Sequence, residues 1–566
     1  MLDTHCAHTA APARTHRPLP RLSLLLLMAI AALVAGLALP GCASLPSEVE
    51  RPVSTALSDN SNTRLGREVA ARAAAAGTRN DSGFALVGSA ELAFTSRMAL
   101  IQMAQKTLDI QYYAIFADET TERMFDAMRD AANRGVRIRI LLDDFNTSGK
   151  NAQVLKLAFE KNFELRLFNP LPGGRSSMLF RIISNLNDVK GMQRRMHNKI
   201  FVADNAIAIT GGRNLGETYF GQSTGTNFVD IDVLAAGRIA RDLSRSFDQY
   251  WNNPLAYPVQ SLMTQKDLDA LKPQVAAASA SLDTGGEKYP AATSRAASLP
   301  AGGDTATLPA LPDSTDLRLL AWTWAPSTML VDKPSKISAD ADSVEESQDT
   351  TVDGLLQLMS QAKTSVLIVS PYFVPGDLMM RQFASLRQRG VRVRVLTNSL
   401  ASNDAPAAHV GYARYREALL GMGIEIYEMH AEQRGTLKGF GSSPNSLGGS
   451  TGSSTGGSRS SLHAKVVVID DRLLVIGSMN LDLRSKLQNS EVAIIVRSPK
   501  LATEATKLIE PTLETGAYHV ELVDNKLLWR APGGSNLKDS STEPDASFGL
   551  KLLTNLMAPF APDEML

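Results

Sequence analysis

Two similar patterns of apolar and polar positions occupy the two halves of the chain. In each half the end of a helix leads into an apolar strand, in the segments AQKTLDIQYYAI (104–115) and AKTSVLIVSPYFV (362–374). Further along, RDAANRGVRIRILLDD (129–144) and ASLRQRGVRVRVLTNS (384–399) each predict a helix that stops at a glycine before an alternating strand. This order of elements predicts an α/β fold that arose by internal duplication.

A third matching pair places polar residues beside apolar strands. The segment HNKIFVADNAIAITGGRN (197–214) matches HAKVVVIDDRLLVIGSMN (463–480), so histidine, lysine, aspartate and asparagine recur at the same relative positions. Residues i and i+2 of a strand share a face, so the histidine and lysine of each copy point the same way. A single strand histidine is usually a hydrogen-bonded core residue, but its duplication favours a functional site. The candidate pairs are His197 with Lys199 and His463 with Lys465.

These residue types suit the chemistry of a phosphodiester. If the halves meet about a pseudo-twofold axis, both histidine–lysine pairs line one cleft, together with the amides of Asn214 and Asn480. Ammonium and amide groups stabilise the non-bridging oxygens of a phosphoryl group. One imidazole can attack phosphorus while the other protonates the leaving oxygen. The sequence contains no cluster with zinc-ligand spacing, so neither a metal nor another cofactor is expected.

The doubled His-x-Lys-x4-Asp motif, followed by Gly-Gly or Gly-Ser and Asn, resembles the signature of the phospholipase D superfamily. The resemblance implies two α/β sandwich domains related by pseudo-twofold symmetry, with one shared active site. It also implies that His197 becomes a phosphohistidine, that His463 is the general acid, and that the lysines and asparagines hold the phosphate. The catalytic set predicted in this way is His197, Lys199, Asp204, Asn214, Asp230, His463, Lys465, Asp470, Asn480 and Glu491.

The acidic residues of this set have two expected roles. In the superfamily, the residues that correspond to Asp204 and Asp470 mainly support the site. An acid on a later strand orients each histidine, and Asp230 and Glu491 are the candidates for that role, with Asp232 as a rival of Asp230.

Other segments resemble bacterial cardiolipin synthases, particularly the C-type enzymes. They include IQYYAIFAD, GGRNLGETYF, SPYFVPG and TNSLASNDAPAAHVGYARYREALLGMGIEIYE. The resemblance implies transfer of a phosphatidyl group between phospholipids, which makes cardiolipin. A hydrolytic phospholipase D that releases phosphatidic acid is the alternative, and a nuclease of the same fold is a weaker one. Substrate contacts are expected from Tyr112, Tyr372, His409 and Arg195.

The charge balance helps to define the partners. Basic and acidic residues number 58 each, so the chain lacks the long-range positive field of a general nucleic-acid binder. The expected partners are anionic phospholipids, namely phosphatidylglycerol with phosphatidylethanolamine as a candidate co-substrate, and a membrane surface. Residues 175–195 combine basic and apolar side chains, which suits either docking on anionic lipid or a solvated basic helix. The apolar segment FGLKLLTNLMAPF (548–560) predicts a helix that packs on the body, with membrane contact as the alternative.

The beginning of the chain resembles a bacterial lipoprotein signal. Arginines precede the apolar stretch LSLLLLMAIAALVAGLALPGC, which ends at Cys42. Lipidation of Cys42 would anchor the protein in the bacterial cell envelope, facing the periplasm, whereas an uncleaved transmembrane segment is the alternative. The only other cysteine is Cys6, so no disulfide is expected in the mature chain.

Composition divides the chain into six segments. Small and polar residues predict a tether and a linker, and a further Gly/Ser-rich segment (439–461) directly precedes the second motif. The predicted segments are a signal (1–42), a tether (43–80), a first phospholipase D-like domain (81–260), a low-complexity linker (261–316), a second such domain (317–525) and a C-terminal tail with the apolar helix (526–566).

Overall fold

The computed structural model describes residues 45–176, 178–185, 188–270, 311–339, 349–431, 459–535, 537–560 and 563. The predicted signal with Cys42, most of the predicted linker and nearly all of the Gly/Ser-rich segment lie outside these residues. In the described ranges, no helix combines the length and the apolar character that crossing a membrane requires.

The first half is organised by a nine-stranded mixed sheet. The strands of this half are, in chain order, β1 (Ser82–Val87), β2 (Thr107–Tyr112), β3 (Arg137–Asp143), β4 (Phe163–Phe168), β5 (Ile200–Ala203), β6 (Ile207–Gly211), β7 (Thr226–Val229), β8 (Asp232–Ala236), β9 (Ala256–Pro258) and β10 (Thr323–Ala325). Their order in the sheet is β10-β1-β8-β6-β5-β2-β3-β4-β9, and β7 lies outside it.

The second half repeats this sheet. Its strands are β11 (Ser327–Val331), β12 (Ser365–Val369), β13 (Phe373–Val374), β14 (Arg392–Asn398), β15 (Glu425–Met429), β16 (Arg459–Leu462), β17 (Val466–Ile469), β18 (Leu473–Gly477), β19 (Leu481–Asp482), β20 (Val492–Arg497), β21 (Ala517–Val523) and β22 (Lys526–Arg530). Their order in the sheet is β11-β20-β18-β17-β12-β14-β15-β21-β22. Apart from the extra edge strands β10 and β22, the two orders correspond, and the trios β2-β3-β4 and β12-β14-β15 are both parallel. The predicted α/β fold with two similar domains is confirmed.

Helices pack on both faces of the sheets. Those at Arg238–Trp251 and Pro499–Thr515 contribute to the core between the two sheets, and most of the others cover the outer faces. In chain order they are α1 (Arg64–Ala75), α2 (Ala90–Met103), α3 (Glu119–Asn133), α4 (Met178–Ser184), α5 (Val189–Gln193), α6 (Arg238–Trp251), α7 (Val259–Leu262), α8 (Ser335–Ser338), α9 (Thr351–Ser360), α10 (Gly376–Gln388), α11 (Pro406–Gly421), α12 (Leu483–Leu487), α13 (Pro499–Thr515) and α14 (Phe548–Met557). Short 3₁₀ helices lie at Gly149–Phe159, Glu217–Tyr219, Leu317–Leu319 and Ala558–Phe560. Gly135 and Gly390, which follow α3 and α10, have φ values of 93° and 78°, a backbone conformation that ends the helix as the sequence predicts.

The inner faces of the two sheets pack against each other. Ile200 and Val202 of β5 share one hydrophobic core with Val466 and Val468 of β17. The alternate residues of the same strands point outward, into a separate core beneath the helices of each half. Because each strand is packed on both faces, its ends are held in fixed positions.

The duplicated aspartates close tight hairpins between β5 and β6 and between β17 and β18. Asp204 and Asn205 both have φ near 50°, as the central residues of the favoured two-residue hairpin turn require. The Asp204 carboxylate also accepts the backbone N–H groups of residues 105 to 107 at 2.7–3.2 Å, at the start of β2. Asp470 accepts those of residues 363 to 365 before β12 in the same way. Each aspartate therefore clamps a hairpin to the neighbouring strand.

Several predicted boundaries differ from the observed elements. The segment predicted as a tether contains α1, whose Leu65 and Val69 belong to the first core. The chain passes from β10 in the first sheet directly to β11 in the second. The predicted boundary at residue 525 falls inside the β21–β22 hairpin. An edge strand is defined by its pairing with a strand that is distant in the chain, which composition does not reveal.

Three of the five basic side chains in the segment before the first motif are buried, namely Arg175, Arg181 and Arg195. Arg175 and Arg181 are buried, and both pair with the carboxylate of Asp144. Interpreting these arginines as lipid-docking or solvated groups was therefore wrong. Among the side chains of α4 that the structure describes, Leu179 is exposed to 65% and Ile183 to 49%.

The C-terminal helix packs less closely than expected. Phe548, Leu552 and Leu556 lie along one side of α14 and are exposed to 82%, 48% and 63%. Arg414 of α11 holds the end of this helix by donating to the carbonyl of Ala558 at 2.6 Å. The helix is thus attached to the body while an apolar stripe stays exposed.

We expect Asp204→Ala to destabilise the protein more than Asp470→Ala. Asp204 is fully buried, so its removal leaves three N–H groups without an acceptor and costs about 2–4 kcal/mol of unfolding free energy. Asp470 is partly exposed, and water can replace its carboxylate, so we expect a loss of about 1 kcal/mol. Denaturant unfolding of the two variants measures the difference, and equal losses would contradict the proposed role of burial.

Candidate active site

The two sequence motifs meet where strand ends of the two halves touch. The backbone N–H of His197 donates to the carbonyl of Ser490 in the second half at 2.9 Å. In the pseudo-twofold equivalent of this contact, the N–H of His463 donates to the carbonyl of Val229 in the first half at 2.8 Å. Both histidines are buried, at 8% and 4% exposure. One cluster therefore contains both motifs.

Polar residues at the ends of β3 and β14 hold the residue that precedes each histidine. Asp143 accepts the N–H of Met196 at 2.8 Å. Asn398 occupies the matching position in the repeat and accepts the N–H of Leu462, also at 2.8 Å. This pair was not predicted from the sequence, although the repeat alignment of RIRILLD with RVRVLTN places the two residues opposite each other.

Each imidazole is oriented by a carboxylate from the other half. Nδ1 of His197 lies 2.9 and 3.0 Å from the two carboxylate oxygens of Glu491. Nδ1 of His463 lies 2.8 Å from Oδ2 of Asp230. A proton on Nδ1 that is shared with a carboxylate leaves Nε2 as the basic nitrogen. Both Nε2 atoms are therefore available for chemistry, and neither half completes its own histidine.

The two carboxylates have different surroundings. Glu491 accepts the hydroxyl groups of Ser478 at 2.5 Å and Ser485 at 3.0 Å. Asp230 accepts the N–H of Ile231 at 2.8 Å. Burial raises the pKa of Glu491 to about 7, although Lys199 and the serines oppose the shift. For Asp230, burial acts in the same direction, but the bond and charge of His463 lower the pKa overall.

Asp232, the rival candidate, lies away from the histidines. Its carboxylate pairs with Arg97 at 2.8 Å and Arg213 at 3.4 Å, and all three side chains are buried. Asp232 therefore supports the first sheet rather than an imidazole.

Both lysines are buried within the cluster. Nζ of Lys199 donates to the carbonyl of His197 at 2.8 Å, and Nζ of Lys465 donates to that of His463 at 2.6 Å. Burial lowers the pKa of Lys199 to about 7, with a contribution from the nearby charge of Lys465. Burial also lowers the pKa of Lys465 to about 8. Two ammonium groups that are poorly solvated and close together form a site for an anion.

The same environment keeps the imidazoles neutral. Burial, followed by the charges of Lys199 and Lys465, lowers the pKa of His197 well below its usual value. Burial and Lys465 lower the pKa of His463 to about 3, against the opposing effect of Asp230. A bound anion would offset the lysine charges and raise both histidine pKa values.

Aromatic rings form apolar walls beside the histidines. The ring of Tyr113 lies 5.1 Å from that of His197 between centroids. On the other side, the rings of Tyr219 and Phe228 lie 5.2 and 5.1 Å from that of His463. Tyr219 and Phe228 were not predicted as site residues, because both lie outside the repeated motif.

The asparagines of the motifs lie in equivalent turns after β6 and β18. Oδ1 of Asn214 accepts the N–H of Ala114 at 3.2 Å, and its Nδ2 donates to the hydroxyl of Tyr219 at 2.9 Å. Oδ1 of Asn480 is buried and has no hydrogen-bond partner among the described residues. The two amides are therefore held differently.

Each copy of the motif also contains an aspartate that lies away from the histidine and lysine. Asp204 and Asp470 follow β5 and β17, whereas the histidines precede these strands. They lie at the opposite ends of the strands, where they bind backbone N–H groups. The structure therefore places them outside the histidine–lysine cluster, in agreement with a supporting role.

Three of the four predicted substrate contacts are buried in other networks. The hydroxyl of Tyr112 accepts from Arg97 at 3.2 Å, so Tyr113 is the tyrosine that faces His197. Arg195 is fully buried and donates to the carbonyl of Asn169 at 3.2 Å.

His409 is the third of the buried residues, whereas Tyr372 is partly exposed. His409 is 2% exposed and lies 3.1 Å from a guanidinium nitrogen of Arg416 and 3.3 Å from the carboxylate of Glu543, so it joins α11 to the C-terminal segment. Tyr372 is half-buried, and its hydroxyl bonds to Asp404 at 2.9 Å. Of the four residues, only Tyr372 lies in a partly exposed position.

In the part of the chain that the structure describes, no group of three or more histidine, cysteine, aspartate or glutamate side chains is arranged to hold a metal ion. Besides burial and the two lysines, the charge of Arg484 also lowers the pKa of His197.

Comparison with known proteins shows the family. The family model described as "Cardiolipin synthase, PLD-like domain" matches residues 98–251 and 355–512, one match in each half. The chain belongs to this family. Its two matched segments contain both histidine–lysine pairs and both orienting carboxylates.

Individual relatives agree with this assignment. Cardiolipin synthase C of Escherichia coli (strain K12) is 34% identical over 432 residues, which cover 76% of this chain and 84% of that protein. An uncharacterized protein of Helicobacter pylori (strain ATCC 700392 / 26695) is 31% identical over 471 residues, 81% of this chain and 85% of that one. The crystal structure of phosphatidylserine synthase from Haemophilus influenzae Rd KW20 matches with a TM-score of 0.53 at 14% identity, over 85% of this chain and 95% of that one. The last similarity shows a shared fold.

The crossed pairing predicts how each histidine responds to its carboxylate. In Glu491→Gln we expect the ring ¹⁵N signals of His197 to shift while those of His463 stay unchanged, because the Nδ1 partner of His197 is altered. Asp230→Asn should shift the signals of His463 and leave His197 unchanged. NMR of the ¹⁵N-histidine-labelled protein makes the measurement. If each substitution affected the histidine of its own half, the crossed arrangement would be refuted.

Proposed function

We propose that this protein transfers a phosphatidyl group from one phospholipid to an alcohol group of another and thereby makes cardiolipin. The reciprocal pairing of His197 with Glu491 and of His463 with Asp230 carries the proposal, because it supplies two imidazoles with free Nε2 atoms beside two buried ammonium groups. The similarity to cardiolipin synthase C of Escherichia coli supports a phospholipid as substrate.

In the first step, His197 acts as the nucleophile. Its Nε2 attacks phosphorus of the donor lipid, a P–N bond forms, and the P–O bond to the departing head group breaks. His463 gives the proton of its Nε2 to the departing oxygen. The anionic donor lipid raises the pKa of His463 by offsetting the lysine charges, so the proton is available when substrate is bound.

In the second step, the acceptor lipid replaces the head group that has left. Its hydroxyl attacks phosphorus and passes a proton to His463, while the P–N bond to His197 breaks. Lys199 and Lys465 hold the non-bridging oxygens throughout, since both ammonium groups lie beside the histidines. Both histidines then return to their starting states.

The surroundings of the histidines favour an alcohol over water as acceptor. Water at about 55 M reacts with an open phosphohistidine unless the site excludes it and positions another hydroxyl group. Tyr113, Tyr219 and Phe228 supply apolar walls on both sides of the reacting atoms. This arrangement supports transfer to a second lipid.

Attachment to the bacterial envelope membrane is part of the same proposal. The lipoprotein-type signal before Cys42 supports a lipid anchor that faces the periplasm. The apolar stripe of Phe548, Leu552 and Leu556 is suited to contact with a lipid surface. A membrane-bound enzyme would meet its two lipid substrates in the bilayer.

We expect the purified protein to form more cardiolipin than phosphatidic acid in vesicles of phosphatidylglycerol, with or without phosphatidylethanolamine. The assay contains EDTA, because the lysines supply the positive charge in this mechanism, and mass spectrometry identifies the products. His197→Asn is the control and should form neither product. Phosphatidic acid as the main product would indicate a hydrolytic phospholipase D, and cleavage of DNA alone would refute the lipid substrate. A requirement for a specific metal would contradict the role of the lysines.

The lowered lysine pKa values predict an alkaline limit of activity. Lys199 and Lys465 lose their charge as the pH rises through about 7 and about 8, so kcat/KM should begin to fall above about pH 7. The same shifts make the unfolded chain bind more protons than the folded chain in this range, so their contribution to the free energy of unfolding rises with pH. Activity and stability should therefore change in opposite directions. Parallel loss of both, measured by pH–rate profiles and thermal melts, would contradict the assignment.

A further inference from the structure

A carboxylate lies at the edge of the cleft on the His463 side. The hydroxyl of Tyr372 lies 2.9 Å from both carboxylate oxygens of Asp404, which precedes α11. The carboxylate is solvent-exposed, and Tyr372 is half-buried. Asp404 is close enough to Lys465 and Tyr219 to interact electrostatically with both, and the ring of Tyr219 contacts that of His463. Asp404 and Tyr372 therefore lie near the second motif.

The environment of Asp404 indicates a recessed position. Burial raises the pKa of its carboxyl group, although solvent still reaches it, which is typical of a side chain in the wall of a cleft. The hydrogen bond from Tyr372 and the charge of Lys465 favour the ionised form. The hydroxyl of Tyr372 holds the carboxylate in one orientation, in which its other lone pairs can accept hydrogen bonds.

A negative charge here opposes the binding of an anionic phosphodiester. If the only role of residue 404 were to hold the hydroxyl of Tyr372, a neutral amide would serve without this cost. The carboxylate must therefore face a part of the substrate other than the phosphate. A group that bears hydrogen-bond donors is the chemistry that a fixed carboxylate recognises.

The position of Asp404 indicates which side of the phosphorus atom its carboxylate faces. In the proposed mechanism His197 occupies one side, and His463 exchanges protons with the oxygen that leaves or attacks on the other. Asp404 lies on the His463 side, where the alcohol binds. In the first half, Asp144 aligns with Ser399 and is fully buried and paired with Arg175 and Arg181. At the same offset, position 404 corresponds to Gly149, so the repeat supplies no matching acid in the first half.

We propose that Asp404, oriented by Tyr372, binds a hydroxyl group of the acceptor lipid that is adjacent to the hydroxyl group attacking phosphorus. The recognised chemistry is a vicinal diol, such as that of a glycerol head group. One hydroxyl group donates to the carboxylate while its neighbour loses its proton to His463. This inference rests on the proposed function and adds the basis on which the acceptor is chosen.

Competition between two small alcohols tests the inference. The full chain receives phosphatidylglycerol as donor, with equal concentrations of 1,2-propanediol and 1-propanol, which differ by one hydroxyl group. Mass spectrometry measures the ratio of the two phosphatidyl products. We expect the wild-type protein to favour the diol, and Asp404→Asn to lower the ratio about tenfold or more, since hydrogen bonds to a charged acceptor are strong. Tyr372→Phe should lower it less, because the carboxylate remains.

Glu417→Gln provides the matched control. It removes one negative charge from an exposed position of α11, the helix that follows Asp404, and should keep the wild-type ratio. Asp404→Ser is a second substitution that keeps the test valid if Asp404→Asn does not fold.

The outcomes separate this inference from the proposed function. An unchanged product ratio in Asp404→Asn overturns the inference and leaves phosphatidyl transfer intact. Loss of both products in a variant that melts like the wild type also overturns it, because Asp404 would then serve the site in general. If the wild-type protein makes only phosphatidic acid with either alcohol, the proposed function fails and the inference falls with it.

Discussion

Each histidine of this protein depends on a carboxylate that the other half supplies. The backbone carbonyl of Ser490 accepts the N–H of His197, and the next residue, Glu491, holds its imidazole. In the same way, the carbonyl of Val229 accepts the N–H of His463, and Asp230 holds its imidazole. Two adjacent residues thus fix both the main chain and the ring of the histidine opposite. Because the bonds cross the interface, any shift of one sheet relative to the other would misplace both rings together.

The pseudo-twofold arrangement contains chemical asymmetry. Glu491 lies among two serine hydroxyl groups and has a raised pKa, whereas the pKa of Asp230 is lowered by His463. The asparagines are also held differently, since Asn214 bonds to Ala114 and Tyr219. A transfer reaction needs one imidazole to carry the phosphatidyl group and the other to exchange protons. Duplicated motifs with different supporting groups are suited to this division of roles.

The sequence predicted the parts of the molecule that repeat. The duplicated strands, the glycine helix stops and both histidine–lysine pairs followed from local pattern, because each is encoded within a few consecutive residues. The crossed pairing could not follow from local pattern, since it joins residues that are distant in the chain. The choice between Tyr112 and Tyr113 was also beyond local pattern. Adjacent residues of an extended chain point to opposite sides, and the sequence alone does not show which ring faces His197. Arg181 and Arg195 looked like surface cations because their buried acidic partners lie elsewhere in the sequence.

The spacing of the motif has a structural explanation. Between Lys199 and Asp204 lies β5, whose four residues alternate between the core shared by the two sheets (Ile200, Val202) and the outer core (Phe201, Ala203). The length of β5 therefore sets the distance between a structural residue at one end and the reacting residues at the other. At one end Asp204 clamps the hairpin to the backbone before β2, and at the other His197 and Lys199 enter the cleft. An insertion of one residue would turn the apolar side chains to the wrong faces and move the histidine away from Glu491. In both halves of the chain, the four positions between lysine and aspartate thus place the aspartate at the hairpin and the histidine beside its carboxylate partner.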